Sequence, residues 1–379
     1  MVEWQEAGVA RAARWCSPGG APAPRRVLVA DDTLAADVAF RLACEGTALL
    51  WRGDFQNARQ LLQALGKRLD RKTRAGGKAG GKTATTFPEA FHRKRMAQAQ
   101  RARILGMLLI PFDAGSVIPL RRAPDVRQAC EEAYKKCDDA HLISLRELLG
   151  LIGAHEWHKK GVPIPVLGAR IYPHYGVFSP VRGEYVTLVN ETPLPAAAIN
   201  GLAFDIGAGT GVLAAVLARR GVRHVVATDQ DERALVCARD NIERLGLSSS
   251  VDVIPADLFP PGRAPLIVCN PPWVPGKPSS ALEYSIYDPE SRMLRGFLAG
   301  LAAHLDAEGE GWLILSDLAE HLKLRSRERL QEWIANAGLT VLGRRDTRPT
   351  HAKAADPDDP LHAARAAEIT SLWRLARGA

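Results

Sequence analysis

Apolar residues recur along this chain in two rhythms, and the change of rhythm divides it. Early on, residues 27–30 (VLVA) and 47–51 (TALLW) read as short strands around a helical piece. Asp54 is placed to cap a following helix on which Ala58, Leu61, Leu62 and Leu65 repeat at helical spacing. A glycine- and lysine-rich stretch comes next, then helices are predicted near 89–109 and 125–153. Prolines at 163 and 165 mark a boundary.

Beyond residue 166 strands and helices alternate. Strands are predicted at 202–206, 225–228, 251–254, 266–269 and 312–315, with a closing pair at 339–342 and 369–375. The intervening helices bury one face each. In the helix at 231–245 that face carries Leu235, Ala238, Ile242 and Leu245, with Gly246 as its stop. In the helix at 290–305 it carries Leu294, Phe297, Leu301 and Leu305. Strands separated by helices imply a parallel sheet covered on both faces, so the fold class is α/β. The expected division is a small α/β unit at 1–65, a basic flexible linker at 66–88, a helical region at 89–165 and a larger domain at 166–379.

Composition narrows the classes of function. The 379 residues leave room for about two domains, and 46% apolar with 24% charged suits a globular protein. The strongest apolar run, 104–112, is half of the ~18 residues that a membrane helix needs, and the N-terminal stretch lacks the layout of a secretory signal. No membrane association is expected, and the compartment is expected to be cytoplasmic. Six cysteines (Cys16, Cys44, Cys130, Cys137, Cys237, Cys269) include no Cys-x-x-Cys pair, so neither a disulfide framework nor a metal site is expected. His155-Glu156-Trp157-His158 falls one residue short of a His-Glu-x-x-His zinc motif, and a polar helix end is expected there instead.

Charge is concentrated. Lys67 to Arg103 holds twelve basic residues against Asp70 and Glu89, a surplus of ten in a chain whose total is +8. Such an arm suits a polyanion, because each neutralised phosphate releases counterions; a solvated linker is the competing reading. Inside it, Gly76-Gly77-Lys78-Ala79-Gly80-Gly81-Lys82-Thr83 has the spacing of a P-loop. No buried strand is predicted to deliver it and no helix to follow it, so a glycine-lysine linker is expected instead.

The chemistry gathers at predicted strand ends. Asp205-Ile206-Gly207-Ala208-Gly209-Thr210-Gly211 joins the first strand of the second half to its helix, where glycines let a ligand approach the backbone. Asp229 ends the next strand, placed to accept hydrogen bonds from two ribose hydroxyls. Asp257 and Leu258 follow the third, and Asn270-Pro271-Pro272-Trp273 the fourth. Open α/β sheets bind ligands at such ends.

On these motifs residues 175–345 resemble the class I S-adenosylmethionine-dependent methyltransferases, in the branch with an Asn-Pro-Pro-aromatic motif. The resemblance implies a Rossmann-like sheet of seven strands, mostly parallel and closed by an antiparallel C-terminal hairpin. It also implies S-adenosyl-L-methionine as cofactor. Gly207, Gly209 and Gly211 would hold its methionine part, Asp229 its ribose, and Asp257 with Leu258 its adenine; Asp205 and Asn270 border the same site. The branch methylates planar nitrogens, in nucleobases or in release-factor glutamine. Asn270 and Pro271 would offer carbonyls to the nitrogen's hydrogens, Pro272 would stiffen the loop, and Trp273 would stack on a flat acceptor.

Two acceptors compete. Tyr175-Gly176-Val177-Phe178-Ser179 resembles the lead-in segment of ribosomal RNA guanine methyltransferases, and residues 48–65 loosely resemble part of their degenerate N-terminal copy. Pro180-Val181-Arg182-Gly183-Glu184 and the run Asn270 through Pro275 resemble release-factor glutamine methyltransferases. The basic segment favours RNA as partner, with a protein glutamine loop as the alternative. A non-catalytic RNA-binding assembly factor ranks lower, since Asn270, Pro271 and Pro272 are intact. The loop 347–368 is expected either over the acceptor entrance or as a surface excursion, and Tyr284 and Tyr287 either in the pocket or in the core.

Overall fold

The computed structural model describes residues 1–79, 86–133, 139–181, 183–278, 283, 285–349 and 361–378, the side chains of 72–79 excepted. It divides into two compact units, Met1–Glu156 and Trp157–Ala379.

The first unit is built on a six-stranded sheet in the order β1-β2-β6-β5-β4-β3. Its strands are β1 (Val2–Glu6), β2 (Val9–Trp15), β3 (Arg26–Ala30), β4 (Thr47–Trp51), β5 (Leu108–Phe112) and β6 (His141–Ser144). The helices are α1 (Ala36–Cys44), α2 (Phe55–Ala79), α3 (Phe87–Leu105), α4 (Arg127–Ala133) and α5 (Leu145–Lys160), the last running across the division. β3, β4 and β5 pair in parallel, with helices making the crossovers that parallel neighbours need. Val2 packs with Ala48, Leu50, Leu109 and Leu142, so the N-terminal hairpin β1–β2 closes one part of the core. Asp54 caps α2 as expected: its Oδ1 accepts from Gln56 N at 2.8 Å, and Arg122 Nε donates to its Oδ2 at 2.7 Å.

This unit corrects the expected division. The region 89–165 is not purely helical, because β5 and β6 are central strands of the sheet. The apolar run at 104–112 is where the reading failed: its first residues end α3 and its last five, all buried, form β5. Periodicity cannot separate such short apolar runs into helix and strand. The expected linker 66–88 is also not a coil throughout, since α2 continues to Ala79; a helix already nucleated on an apolar face propagates at little cost per residue. Residues 71–75, ahead of the P-loop-like stretch, are therefore helical, and no strand delivers it; Gly80 through Thr83 lie outside the described residues. The predicted helix at 125–153 is interrupted by β6, and the division falls at 156/157 rather than 165/166. Cys130 is buried in α4, and Cys137 lies outside the described residues. His155 to His158 sit in the polar end of α5, with His155 Nδ1 and Glu132 Oε2 2.9 Å apart.

The second unit opens with a small antiparallel pair, β7 (Val162–Ile164) and β8 (Ala169–Ile171), followed by α6 (Glu184–Glu191). Its main sheet has seven strands: β9 (Leu202–Ile206), β10 (His224–Asp229), β11 (Val251–Pro255), β12 (Ala264–Cys269), β13 (Leu305–Ser316), β14 (Leu339–Thr347) and β15 (Thr370–Arg377). The order is β11-β10-β9-β12-β13-β15-β14. β11 through β13 pair in parallel, and β13, β15 and β14 pair antiparallel. The helices α7 (Val212–Arg219), α8 (Glu232–Arg244), α9 (Arg292–His304), α10 (Leu318–His321), α11 (Arg327–Asn336) and α12 (His362–Ala366) link the strands. The central strands β9 and β12 are apolar without alternation because both faces are covered. The chain order reverses between β9 and β12, and open α/β sheets bind ligands outside the carboxyl ends of the strands at such a reversal.

Candidate active site

The glycine loop lies at that reversal. Gly207, Gly209 and Gly211 have φ of +78°, +53° and +77°, conformations that cost a residue with a Cβ about 1–2 kcal/mol each. The backbone N–H groups of Gly207 and Ala208 both donate to Thr228 O, fastening the loop to the end of β10. A Cβ on Gly211 would stand 3.3 Å from Ala238 of α8, whereas nothing lies within 4 Å of one on Gly209. The loop is thus closed against the protein at Gly211 and open at Gly209.

Three carboxylates stand at the ends of β9, β10 and β11, each with different partners. Asp205 is buried, and its Oδ2 accepts from Ala214 N in the first turn of α7 at 2.9 Å. Burial pushes its pKa up to about 7; the Ala214 bond lowers it, and the neighbouring Asp229 charge raises it further. Asp229 accepts from Gly209 N at 3.1 Å through Oδ2 and from Asp231 N at 3.0 Å through Oδ1. Burial raises its pKa, and those two hydrogen bonds oppose the shift. Each oxygen keeps a second lone pair for a ligand hydroxyl. Asp257 is exposed, and Arg292 Nη2 at the start of α9 lies 3.2 Å from its Oδ2.

Leu258 takes φ +77°, a strained conformation for a branched residue. Thr228 Oγ1 donates to its carbonyl at 2.6 Å, and its side chain lies so close to Gly296 that a Cβ there would come within 2.7 Å. The strand ends β10 and β11 are joined at this point.

Asn270, half-buried, directly follows β12. Its Oδ1 accepts from Trp273 Nε1 at 2.8 Å. The Trp273 ring is half-buried and packs against the apolar clusters on both faces of the sheet. Pro271 is buried and Pro272 half-buried between them. Beyond the motif, Val274 forms an isolated bridge to Tyr287, and the Tyr287 ring covers Gly276, where a Cβ would stand 3.0 Å from it. Tyr284 and residues 350–360 of the loop 347–368 lie outside the described residues.

Sequence reading missed the wall opposite the glycine loop. Asp288 is buried; its backbone N–H donates to Val274 O, and its carboxylate accepts from Met293 N and Leu294 N, both at 3.1 Å. Met293 reaches the glycine loop, since a Cβ on Gly207 would meet its Cε at 2.6 Å. Asp288 therefore ties the Asn-Pro-Pro-Trp loop to the turn that presents Arg292 and Met293. Asp-Pro before an apolar helix is a capping signature, the one local signal that could have found it. Replacing Asp288 with alanine is expected to cost about 1–2 kcal/mol and lower the melting temperature, because the buried amides of α9 lose their acceptor. Thermal unfolding of Asp288→Ala beside the parent measures this; an unchanged midpoint contradicts it.

Just ahead of the lead-in segment, α8 holds the chain through Cys237 and Asp240 at His174 and through a buried amide at Tyr172. Asn241 of α8 accepts from Tyr172 N at 2.7 Å and donates through Nδ2 toward Tyr172 O, Thr210 O and Cys237 O. It fixes Tyr172 beside the glycine loop.

Fold and strand-end geometry define a Rossmann-like sheet of the class I methyltransferase type. Residues 168–336 match the family model of the methyltransferase small domain. A release factor glutamine methyltransferase of Gloeobacter violaceus is 36% identical over 144 residues, which covers 36% of this chain and 47% of that protein. One of Cereibacter sphaeroides is 33% identical over 119 residues, covering 28% and 43%. A ribosomal protein L11 methyltransferase of Pelotomaculum thermopropionicum is 43% identical over 72 residues, covering 18% and 23%. The chain thus spans less than half the length of these curated relatives. The solved structure of a ribosomal protein L11 methylase from Lactobacillus delbrueckii is 16% identical with a TM-score of 0.35, over 52% of this chain and 79% of that one. Among the described residues no three His, Cys, Asp or Glu side chains group as for a metal ion, and no helix is long and apolar enough to cross a membrane.

Proposed function

We propose that the protein is an S-adenosylmethionine-dependent N-methyltransferase that modifies a planar nitrogen of a macromolecule, most simply an exocyclic amine of an RNA base. One observation carries the reaction type. The Asn270 to Trp273 loop and the open glycine loop end the adjacent strands β12 and β9, where the chain order reverses.

The residues fit the cofactor. The backbone is approachable at Gly209, and the Asp229 carboxylate, bound to that residue's own N–H, has lone pairs left for two ribose hydroxyls. Asp257 and Leu258 would take the adenine, with Asp257 sharing its charge between the base and Arg292. Bound there, the cofactor would supply a sulfonium methyl group to an in-line attack by the acceptor nitrogen, the thioether leaving with the S–C electron pair and the nitrogen then giving up a proton. The protein's task is the nucleophile. A conjugated nitrogen delocalises its lone pair, and two acceptors on its hydrogens, Asn270 Oδ1 and the Pro271 carbonyl, draw it toward tetrahedral geometry. That interaction strengthens as positive charge develops on nitrogen, so it favours the transition state over the ground state.

The choice of acceptor rests on the basic helices. Lys67 and Arg71 on α2 and Arg93 and Arg103 on α3 are exposed, while Arg68 and Arg101 pair with Asp37 and Asp70. The arm is therefore less cationic than its sequence count, yet it keeps a solvent-facing basic surface. Four phosphate contacts to single-stranded RNA predict about a fifty-fold loss of affinity between 50 and 200 mM salt. The 36% identity to a protein named for glutamine methylation is the specific observation behind the second reading. Incubating the protein with labelled cofactor and, in separate reactions, total RNA and total protein separates the two. Label in RNA, with the steep salt dependence, is expected; label in protein alone gives the glutamine reading.

A further inference from the structure

We propose that Trp273 is a positioning residue whose indole N–H sets the orientation of the Asn270 amide; this rests on the reading of Asn270 as the acceptor-binding residue. A carboxamide presents two ends of nearly the same shape, an oxygen that accepts and an NH2 that donates. Only the oxygen can take a hydrogen from the nitrogen to be methylated. The NH2 end would set donor against donor. Indole N–H donates and never accepts, so at 2.8 Å it selects the flip that leaves Oδ1 at the shared position. The second lone pair of Oδ1 is left for the acceptor.

The donor is itself held. Trp273 packs against the cores on both faces of the sheet, and the next residue is clamped, Val274 N donating to Ile286 O and Asp288 N to Val274 O. The ring cannot swing out as a free stacking plate without breaking the bond to Asn270 and leaving packed surface. It acts through Asn270, and any contact it makes with an acceptor comes from the face it exposes where it stands. Phenylalanine would keep the ring and lose the donor, returning the amide to two competing orientations.

Two measurements test this. The Trp273 Nε1–H resonance, assigned by its absence in Trp273→Phe, is expected to move upfield in Asn270→Ala. Trp273→Phe is expected to lower kcat about ten- to a hundredfold, the scale of misplacing a reacting group, with the cofactor Kd within about twofold. In an Asn270→Ala background the same change is expected to add nothing. Incorporating 3-benzothienylalanine at 273, which replaces N–H by sulfur at constant shape, is expected to reproduce the Trp273→Phe loss and decides the matter if the phenylalanine variant folds poorly. An unmoved resonance, or an isostere with parental kcat, overturns the proposal. If the parent protein labels neither RNA nor protein, the functional reading falls and this role falls with it. That result is distinct from a parent and an isostere that are both active.

Discussion

Asn270→Ala is expected to lower the rate of methyl transfer about 10²–10³-fold and to leave cofactor affinity within about twofold. The magnitude is that of removing one preorganised hydrogen-bond partner from a developing charge, roughly 3–4 kcal/mol. The selectivity for rate follows from position. Asn270 follows β12, whereas the residues proposed to hold the cofactor, Gly207 to Gly211, Asp229 and Asp257, lie at the ends of β9, β10 and β11. The amide's partner in the structure is Trp273, not a cofactor residue. The variant removes the Asn270 acceptor from the half-buried Trp273 indole, so its fold must be confirmed by thermal unfolding. Single-turnover transfer of labelled methyl groups, with cofactor Kd by calorimetry, gives both quantities. A variant that binds RNA and cofactor normally and transfers methyl groups at the parental rate removes Asn270 from the chemistry. Lost RNA binding would instead place Asn270 in recognition.

The second unit was more legible in the sequence than the first, and the reason is burial. β9 and β12 lie under helices on both faces, so residues 202–206 and 266–269 read as apolar runs between unmistakable helical repeats, and the observed strands fall there. The closing hairpin also appears where the patches at 339–342 and 369–375 put it, lengthened to Leu339–Thr347 and Thr370–Arg377 by exposed residues that carry no pattern. In the first unit β2 (VARAARW) is exposed along most of its length, and its arginines hide it. β5 disappears into the helix that precedes it, and β6 is only four residues long. The site shows the same division. Gly207, Gly209, Gly211 and Asp229 announce themselves because loops at strand ends need those residue types. The Arg292–Asp257 ion pair, the reach of Met293 to Gly207 and the Asn270–Trp273 bond come from how α9 and the loop after β12 are placed. Placement of that kind is set by packing across the sheet, which no local spacing encodes.

Cofactor affinity is expected to rise about tenfold between pH 6 and pH 8, with release of close to one proton on binding at pH 6, and Asn at position 205 is expected to abolish both. The cause is Asp205, whose buried carboxyl titrates near 7. In the folded, cofactor-free protein it holds its proton below that pH, while in the unfolded chain it loses it near the ordinary value of 3.8. The folded state therefore binds more protons across this window, so Asp205 adds stability below about 4 that is lost as pH rises through 7. The sulfonium and ammonium groups of a cofactor bound beside Asp205 would reverse the balance. A cation near Asp205 favours the carboxylate, so binding must drive off the proton where the pH has not already done so, and affinity climbs until the group is ionised in the free protein as well. Ala214 N favours the ionised form already, which makes the site ready to accept the change without rearranging α7. Asp229 also has a raised pKa, but its two backbone hydrogen bonds hold it closer to the charged state. Titration calorimetry in two buffers of different ionisation enthalpy, from pH 5.5 to 8.5, measures the affinity and the proton count together. Flat affinity in the parent protein would place the cationic end of the cofactor away from Asp205, and an unchanged slope in Asp205→Asn would assign the proton to another group, Asp229 first.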